Sequence, residues 1–235
     1  MRGRFRPRRE VRLTTVRPEA SGDAEAIRGV HTASFPTPAE ARLVDLLRNA
    51  RHLTVSLVAE LGGRVIGHVA FSPVTVATGA GGVGLAPVAV VEEYRRRGIA
   101  ACLIEAGLAT CRDAQFGWVV VLGDPAYYSR FGFRPAAELG LTDECGGGSA
   151  FQAMELIPNR MPIGAGLVRY AQAFASLGSQ RVAVGPPVPG ATTRTPDVAT
   201  PCRLAPRMRA EGSVFFSPFI ERFPPGLSVI ISLWK

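Results

Sequence analysis

Apolar positions along the chain change their spacing several times, and each change marks an element. Ala24, Ile27, Val30 and His31 recur at helical spacing towards Phe35, where Pro36-Thr37-Pro38 breaks the run. Residues 39–49 form a second predicted helix, with Leu43, Leu46 and Leu47 on one side. A short strand at 13–16 precedes both helices, and Pro18 to Asp23 supplies the turn and the helix start. Two β-rich runs, 55–61 and 65–71, then flank Gly62-Gly63, a two-residue hairpin signal. Ser72-Pro73 reads as an edge or bulge before 74–76.

The apolar run 83–91 is long enough, and rich enough in β-formers, for a strand buried on both faces. Three arginines and Gly98 follow, and Ile99, Leu103, Ala106 and Leu108 restore helical spacing. Residues 117–122 predict another buried strand. Gly123-Asp124-Pro125 opens a short helix over 126–131, and 132–135 leads towards a further strand. Gly146-Gly147-Gly148 is a loop, and 151–156 reads as the last sheet strand, with one short strand or helix in 164–177. The order is β-α-α-β-β-β-α-β-α-β, an α/β or α+β pattern built on a mixed sheet.

Composition changes this picture at the ends. The net charge of +8 divides unevenly: residues 1–10 carry five arginines and one glutamate, and 11–157 carry 13 arginines against 15 acids. Residues 158–235 carry nine basic and three acidic residues. The core is therefore near neutral, which argues against nucleic acid as its partner. We expect a basic flexible arm at 1–10, one domain over 11–175, and a Pro/Gly-rich, partly disordered extension at 176–235. Its apolar end, 214–234, is broken by three prolines. No apolar run reaches the roughly 18 residues of a membrane span. No apolar stretch of a secretory leader follows the first arginines, so a cytoplasmic protein is expected. Four cysteines without a C-x-x-C spacing and three histidines predict no metal centre.

Candidate chemistry concentrates at the strand–turn–helix over 83–114. A helix N-terminus offers unpaired N–H groups and the positive end of a dipole, Gly98 has no side chain to block them, and the arginines attract anions. The turn Arg95-Arg96-Arg97-Gly98-Ile99-Ala100, preceded by LAPVAVVEEY and followed by a strand and YYSRFGF, resembles the acetyl-CoA signature of the GNAT family of N-acetyltransferases. The likeness extends over about 11–175 and is to its small bacterial acetyltransferases. It implies a central mixed, mostly antiparallel sheet flanked by helices, with the strands 85–91 and 118–122 splayed around the cofactor.

The resemblance also implies roles. The acetyl-pantetheine arm would bond to backbone near Ala89, Val90 and Val91, and the pyrophosphate would lie on N–H groups of Arg96 to Ala100, with Arg95 in the same signature. A backbone N–H near Val90 would hold the oxyanion. Tyr128, four residues before Gly132-Phe133, would protonate the departing thiolate, and Tyr127 should point elsewhere. Many family members carry an asparagine where this chain has the short Gly123-Asp124-Pro125-Ala126, so the contacts of that asparagine have no counterpart here. For the base, Glu60 is the candidate, with Glu92, Glu93, His31, His68 and direct loss of the proton to water as alternatives. The turn 34–37 and the bend 71–73 would face the acceptor. The implied function is transfer of acetyl from acetyl-CoA to a primary amine of a small molecule or peptide, with no metal and no membrane partner; a homodimer is left open. The other readings are transfer of a different acyl group and a non-catalytic acyl-CoA sensor.

Overall fold

The structure, a computed structural model, describes residues 14–176 and 200–201. Strand β1 (Thr15–Pro18) leads to helices α1 (Ala24–Ser34) and α2 (Ala39–Asn49). Then come β2 (Val55–Leu61), β3 (Arg64–Thr75) and β4 (Gly81–Val90), helix α3 (Ile99–Asp113) and strand β5 (Trp118–Leu122). The short helix α4 (Pro125–Tyr128) continues as a 3-10 turn to Phe131. Strands β6 (Arg134–Pro135), β7 (Leu141–Asp143), β8 (Phe151–Glu155), β9 (Gly166–Tyr170) and β10 (Thr200–Pro201) complete the order.

The strands form a sheet in the order β10-β1-β2-β3-β4-β5-β8-β6, with β9 paired to the far end of β3 and β7 paired to β9. Along the main path only β4 and β5 run parallel, as a helix crossover requires. The sheet is thus mixed and mostly antiparallel.

Adjacent residues of β3 show how the helices are layered. A side chain at Gly67 would meet Leu103 of α3, whereas the next residue, His68, bonds to His31 of α1. Successive strand residues point to opposite faces, so α1 and α3 cover opposite sides of the sheet. Leu43 and Leu47 of α2 cluster with Ala86 of β4 and with Phe174, which lies beyond β9.

Four details differ from the sequence reading. Strand β3 runs through Pro73 without interruption and pairs with β4 there. The strand at 151–156 is not the last, because β9 follows it at 166–170, and 141–143 forms β7 where no strand was expected. Within the extension expected to be partly disordered, Thr200 and Pro201 pair with Val16 and Thr15 at the edge of the sheet. The basic arm 1–10 and the remainder of the extension lie outside the described residues.

Candidate functional site

The site begins with a parallel pair that stops early. Strand β4 pairs with β5 only from Val83 to Leu85, against Val119 to Val121. On its other side β4 steps from Leu85 to Val88 while β3 steps from Phe71 to Val69, so β4 carries one extra residue at Ala86-Pro87. Such a bulge bends the strand that bears it, and Pro87 has no N–H to extend the ladder. From Ala86 to Val90, β4 therefore has no partner strand on the β5 side among the described residues, and a cleft opens between the carboxyl ends of two parallel strands. That is where open α/β sheets bind ligands.

One arm of the cleft ends in the arginine turn. Val90 closes β4, a 3-10 turn spans Glu92–Tyr94, and α3 starts at Ile99. Gly98 caps α3 in the left-handed region at φ 81°, with no side chain bonding the first-turn N–H groups. The first helical bond runs from Cys102 N–H to Gly98 C=O, which leaves the N–H groups of Gly98 to Ala101 without helical acceptors. Open space surrounds the position of a Cβ at Gly98. The cradle fits an anion of pyrophosphate type, made of donors that no described residue occupies.

The three arginines do different things. Arg95 turns inward: its Nε donates to Val90 C=O at 3.0 Å and its terminal nitrogen to Ser34 C=O at 3.1 Å. Ser34 Oγ donates to the same Val90 carbonyl at 3.2 Å. Arg95 is thus a clamp between the ends of β4 and α1. Arg97 stacks over Tyr94, 5.3 Å from the ring centroid, and Arg96 is exposed. Of the backbone expected to flank the cofactor arm, the Val90 carbonyl is engaged in this clamp and Val91 N–H donates to Ile66 C=O.

The other arm ends in Tyr128. Asp124 caps α4 by accepting from Ala126 N–H at 2.9 Å, and Pro125 fills the first helical position. Tyr128 then packs over Gly123, where any Cβ would stand 2.1 Å from its ring. Its neighbours are Tyr127 and Phe133, at centroid distances of 5.2 and 5.7 Å. Burial, with Tyr127 and Asp124 adding to it, pushes the Tyr128 phenol well above its ordinary range. Among the described residues its hydroxyl has no hydrogen-bond partner, so it is a neutral phenol with a proton to donate. Tyr127 does not turn away as expected; the two rings meet edge to face in the same core.

Where β4 and β5 begin to part lies a small cavity lined by Leu85 and Ala86 of β4, Val120, Val121 and Leu122 of β5, Tyr170 of β9, and Phe174. Cys145, a free thiol, also borders it. The Tyr170 hydroxyl is covered and has no hydrogen-bond partner among the described residues.

The other expected residues lie elsewhere. Glu60 sits on β2, two strands from β4, with its carboxylate on Arg17 at 2.7 Å, and the structure does not bring it to the cleft. Glu92 and Glu93 are exposed, the latter 3.9 Å from Arg64. His31 and His68 bond to each other in the core. Two covered polar groups were not singled out in the sequence: the Tyr170 hydroxyl and the Glu40 carboxylate of α2, neither with a hydrogen-bond partner among the described residues. An acid on the same helical stripe as Leu43 and Leu47 was the available signal. Among the described residues there is no cluster of three metal-ligating side chains, and no helix is long and apolar enough to cross a membrane.

Comparison with known proteins agrees with this geometry. Residues 24–133 match the model of the acetyltransferase (GNAT) family. The chain is 44% identical over 162 residues to the uncharacterised N-acetyltransferase YhbS of Escherichia coli K12, covering 68% of this chain and 97% of that protein. The crystal structure of Escherichia coli YhbS in complex with CoA superimposes with a TM-score of 0.67 at 43% identity, over 69% of this chain and 92% of that one. A GNAT family acetyltransferase of Brucella melitensis in complex with acetyl-CoA gives 0.58 at 39% identity, over 68% and 97%. With the splayed β4 and β5, the open helix start at Gly98 and relatives of this closeness, the chain belongs to the GNAT family of acetyltransferases.

Proposed function

We propose that the chain transfers the acetyl group of acetyl-CoA to a primary amine of a small molecule or peptide, by direct attack within a ternary complex. The observation that carries this reading is the set of free N–H donors at the open Gly98 turn, beside the unpaired stretch Ala86–Val90 of β4. The pyrophosphate rests on N–H groups of Arg96 to Ala100, while the exposed Arg96 and its neighbour Arg97 supply the attracting field. The pantetheine arm runs along Ala89, Val90 and Val91 towards the base of the cleft. A backbone N–H near Val90 stabilises the oxyanion, and Tyr128 gives its proton to the departing sulfur. Two relatives of 43% and 39% identity with CoA or acetyl-CoA bound support the choice of donor.

The test is a screen of primary amines and peptides with acetyl-CoA, following release of the CoA thiol, beside calorimetry of acetyl-CoA binding. Binding together with amine-dependent thiol release is expected. Binding without release from any amine would favour an acyl-CoA sensor, and no binding would remove the reading altogether.

A further inference from the structure

The cavity at the parting of β4 and β5 lies in the plane of the sheet. Consecutive residues of a strand point to opposite faces, yet Leu85 with Ala86, and Val121 with Leu122, all border it. A space bordered from both faces is a slot between the strands. Leu85 and Val121, the last pair of the parallel ladder, close its inner end. Towards Val90 the slot runs on into the stretch of β4 that no described strand pairs on this side.

The wall on the α2 side comes from neither strand. It is made by Tyr170 and Phe174, which cluster with Ala86 and with Leu43 and Leu47 of α2. The Tyr170 ring rests on β4, where a Cβ at Gly84 would stand 3.5 Å from its Cε1. Its backbone is held by pairing with Val74 of β3 and by an N–H bond to the Glu144 carboxylate at 2.9 Å. Phe174 lies against that ring, 5.2 Å between centroids. A wall packed on a strand and backed by a helix has little room to retreat. Both aromatic residues lie outside 24–133, the stretch matched to the family.

The free space in the slot is about that of one water molecule, and its borders are almost wholly apolar. A one-carbon apolar group suits it better than a water, which needs several polar partners. We infer that the slot takes the methyl end of the acyl group carried by CoA, and that Tyr170 and Phe174 fix the donor as acetyl by stopping longer chains. This rests on the acetyltransferase reading and selects the donor within it. With the pyrophosphate at Gly98, the cofactor arm comes down β4 from Val90 towards Ala86, a path of about 13 Å. Its far end is the thioester, and beyond that only the acyl chain is left to enter the slot. An acetyl methyl fills the space. Each further methylene has to displace Leu85, Val121 or the aromatic wall, and overpacking of that kind is costly.

Calorimetry on the full chain with CoA, acetyl-CoA, propionyl-CoA and butyryl-CoA tests this without any acceptor. Acetyl-CoA should bind at least as tightly as CoA, and affinity should fall about tenfold for each methylene added to acetyl. In Phe174→Ala the deficit of butyryl-CoA against acetyl-CoA should shrink about tenfold, while affinity for CoA itself stays within about twofold. Phe174→Leu keeps an apolar side chain on Leu43 and Leu47; it should move the same ratio in the same direction by less, and it carries the test if the alanine variant does not fold. Butyryl-CoA binding the unsubstituted chain as tightly as acetyl-CoA would overturn the inference and leave the acetyltransferase reading standing. A ratio unmoved in a folded Phe174 variant would overturn the aromatic wall as the selecting element. No binding of CoA or acetyl-CoA by the unsubstituted chain would instead remove the acetyltransferase reading, and the acyl slot with it.

Discussion

His31 Nε2 lies 2.8 Å from His68 Nδ1, in the core between α1 and β3. The remaining bonds decide which ring carries which proton. Arg48 holds the Glu19 carboxylate at 2.7 Å, and that carboxylate accepts the hydroxyl proton of Ser56. Ser56 oxygen, 2.9 Å from His68 Nε2, then accepts from it, which makes His68 Nδ1 the acceptor for His31 Nε2–H. Both rings are neutral in this arrangement. Burial, with Arg48 second, lowers His31 to about 3; burial, then His31 and Arg48, lowers His68 well below its ordinary value.

A neutral buried pair makes stability depend on pH with a definite sign. Above 6.5 neither folded nor unfolded histidine binds a proton, and the contribution is fully present. Below 6.5 the unfolded chain takes up protons that the native pair refuses, so stability falls with acid, for His31 until about pH 3. The slope approaches about 1.4 kcal/mol per pH unit for each histidine. Glu40 acts in the opposite sense, since its raised carboxyl binds a proton in the native state first, between about 7 and 4.5. Urea unfolding between pH 7.5 and 5 should therefore show a fall for the unsubstituted chain, a steeper one for E40Q and a shallower one for His68→Gln. Flat curves in all three would contradict the neutral pair.

The packing of α3 on β3 gives a second prediction. A Cβ at Gly107 would stand 2.2 Å from Cε2 of Phe71 and 2.7 Å from Cζ, whereas at Gly29 of α1 it would meet nothing within 4 Å. Alanine is worth about 1 kcal/mol over glycine inside a helix. Forcing a methyl into a filled core costs about 1–3 kcal/mol, which outweighs that gain. Gly107→Ala should destabilise by about 1–2 kcal/mol and Gly29→Ala should stabilise by up to about 1 kcal/mol, both read from urea midpoints. The same sign for both would mean that α3 does not lie this close to Phe71.

These contrasts also show what the sequence could carry. Helix α2 was legible to the residue, because Pro38 and the spacing of Leu43 and Leu47 bound it. The paired runs around Gly62-Gly63 and the strand–turn–helix at Gly98 were legible for the same reason: each is specified by local chemistry. Pro73 was read as an interruption, but β2 leaves β3 at Phe71, so Pro73 sits where one side of β3 has lost its neighbour. Strands β7 and β9 have little alternation of their own and form against each other and the end of β3. In the site, the anion turn and Tyr128 follow motifs along the chain. The burial of Glu40 follows none: an acid in the first turn of a helix is ordinary dipole chemistry, and only the folded chain covers it.

Tyr128 can be tested without disturbing the fold. Its ring packs on Gly123 and Phe133, and Tyr128→Phe keeps every one of those contacts. With the phenol neutral and its hydroxyl free, the variant loses only the proton offered to the leaving sulfur. Turnover should fall by about 100-fold while acetyl-CoA affinity stays within about twofold, read by thiol release and calorimetry. Unchanged turnover would pass the role of acid to another group and leave the rest of the site as it is.

Gly98 carries the sharpest prediction, because strain and crowding can be separated there. At φ 81° any side chain is strained, costing about 1–2 kcal/mol of stability for alanine and more for a β-branched residue. No atom of the described residues lies within 4 Å of the position its Cβ would take, so the added methyl would project into the space proposed for the pyrophosphate. Gly98→Ala should therefore lower acetyl-CoA affinity at least about tenfold with only a modest loss of melting temperature, and Gly98→Val should abolish binding. Arg96→Ala, which leaves the cradle of N–H groups intact, should weaken affinity chiefly at low salt, where an exposed charge acts at long range. If Gly98→Ala binds acetyl-CoA as tightly as the unsubstituted chain, the pyrophosphate does not lie on the start of α3, and the arginines rather than the backbone hold it.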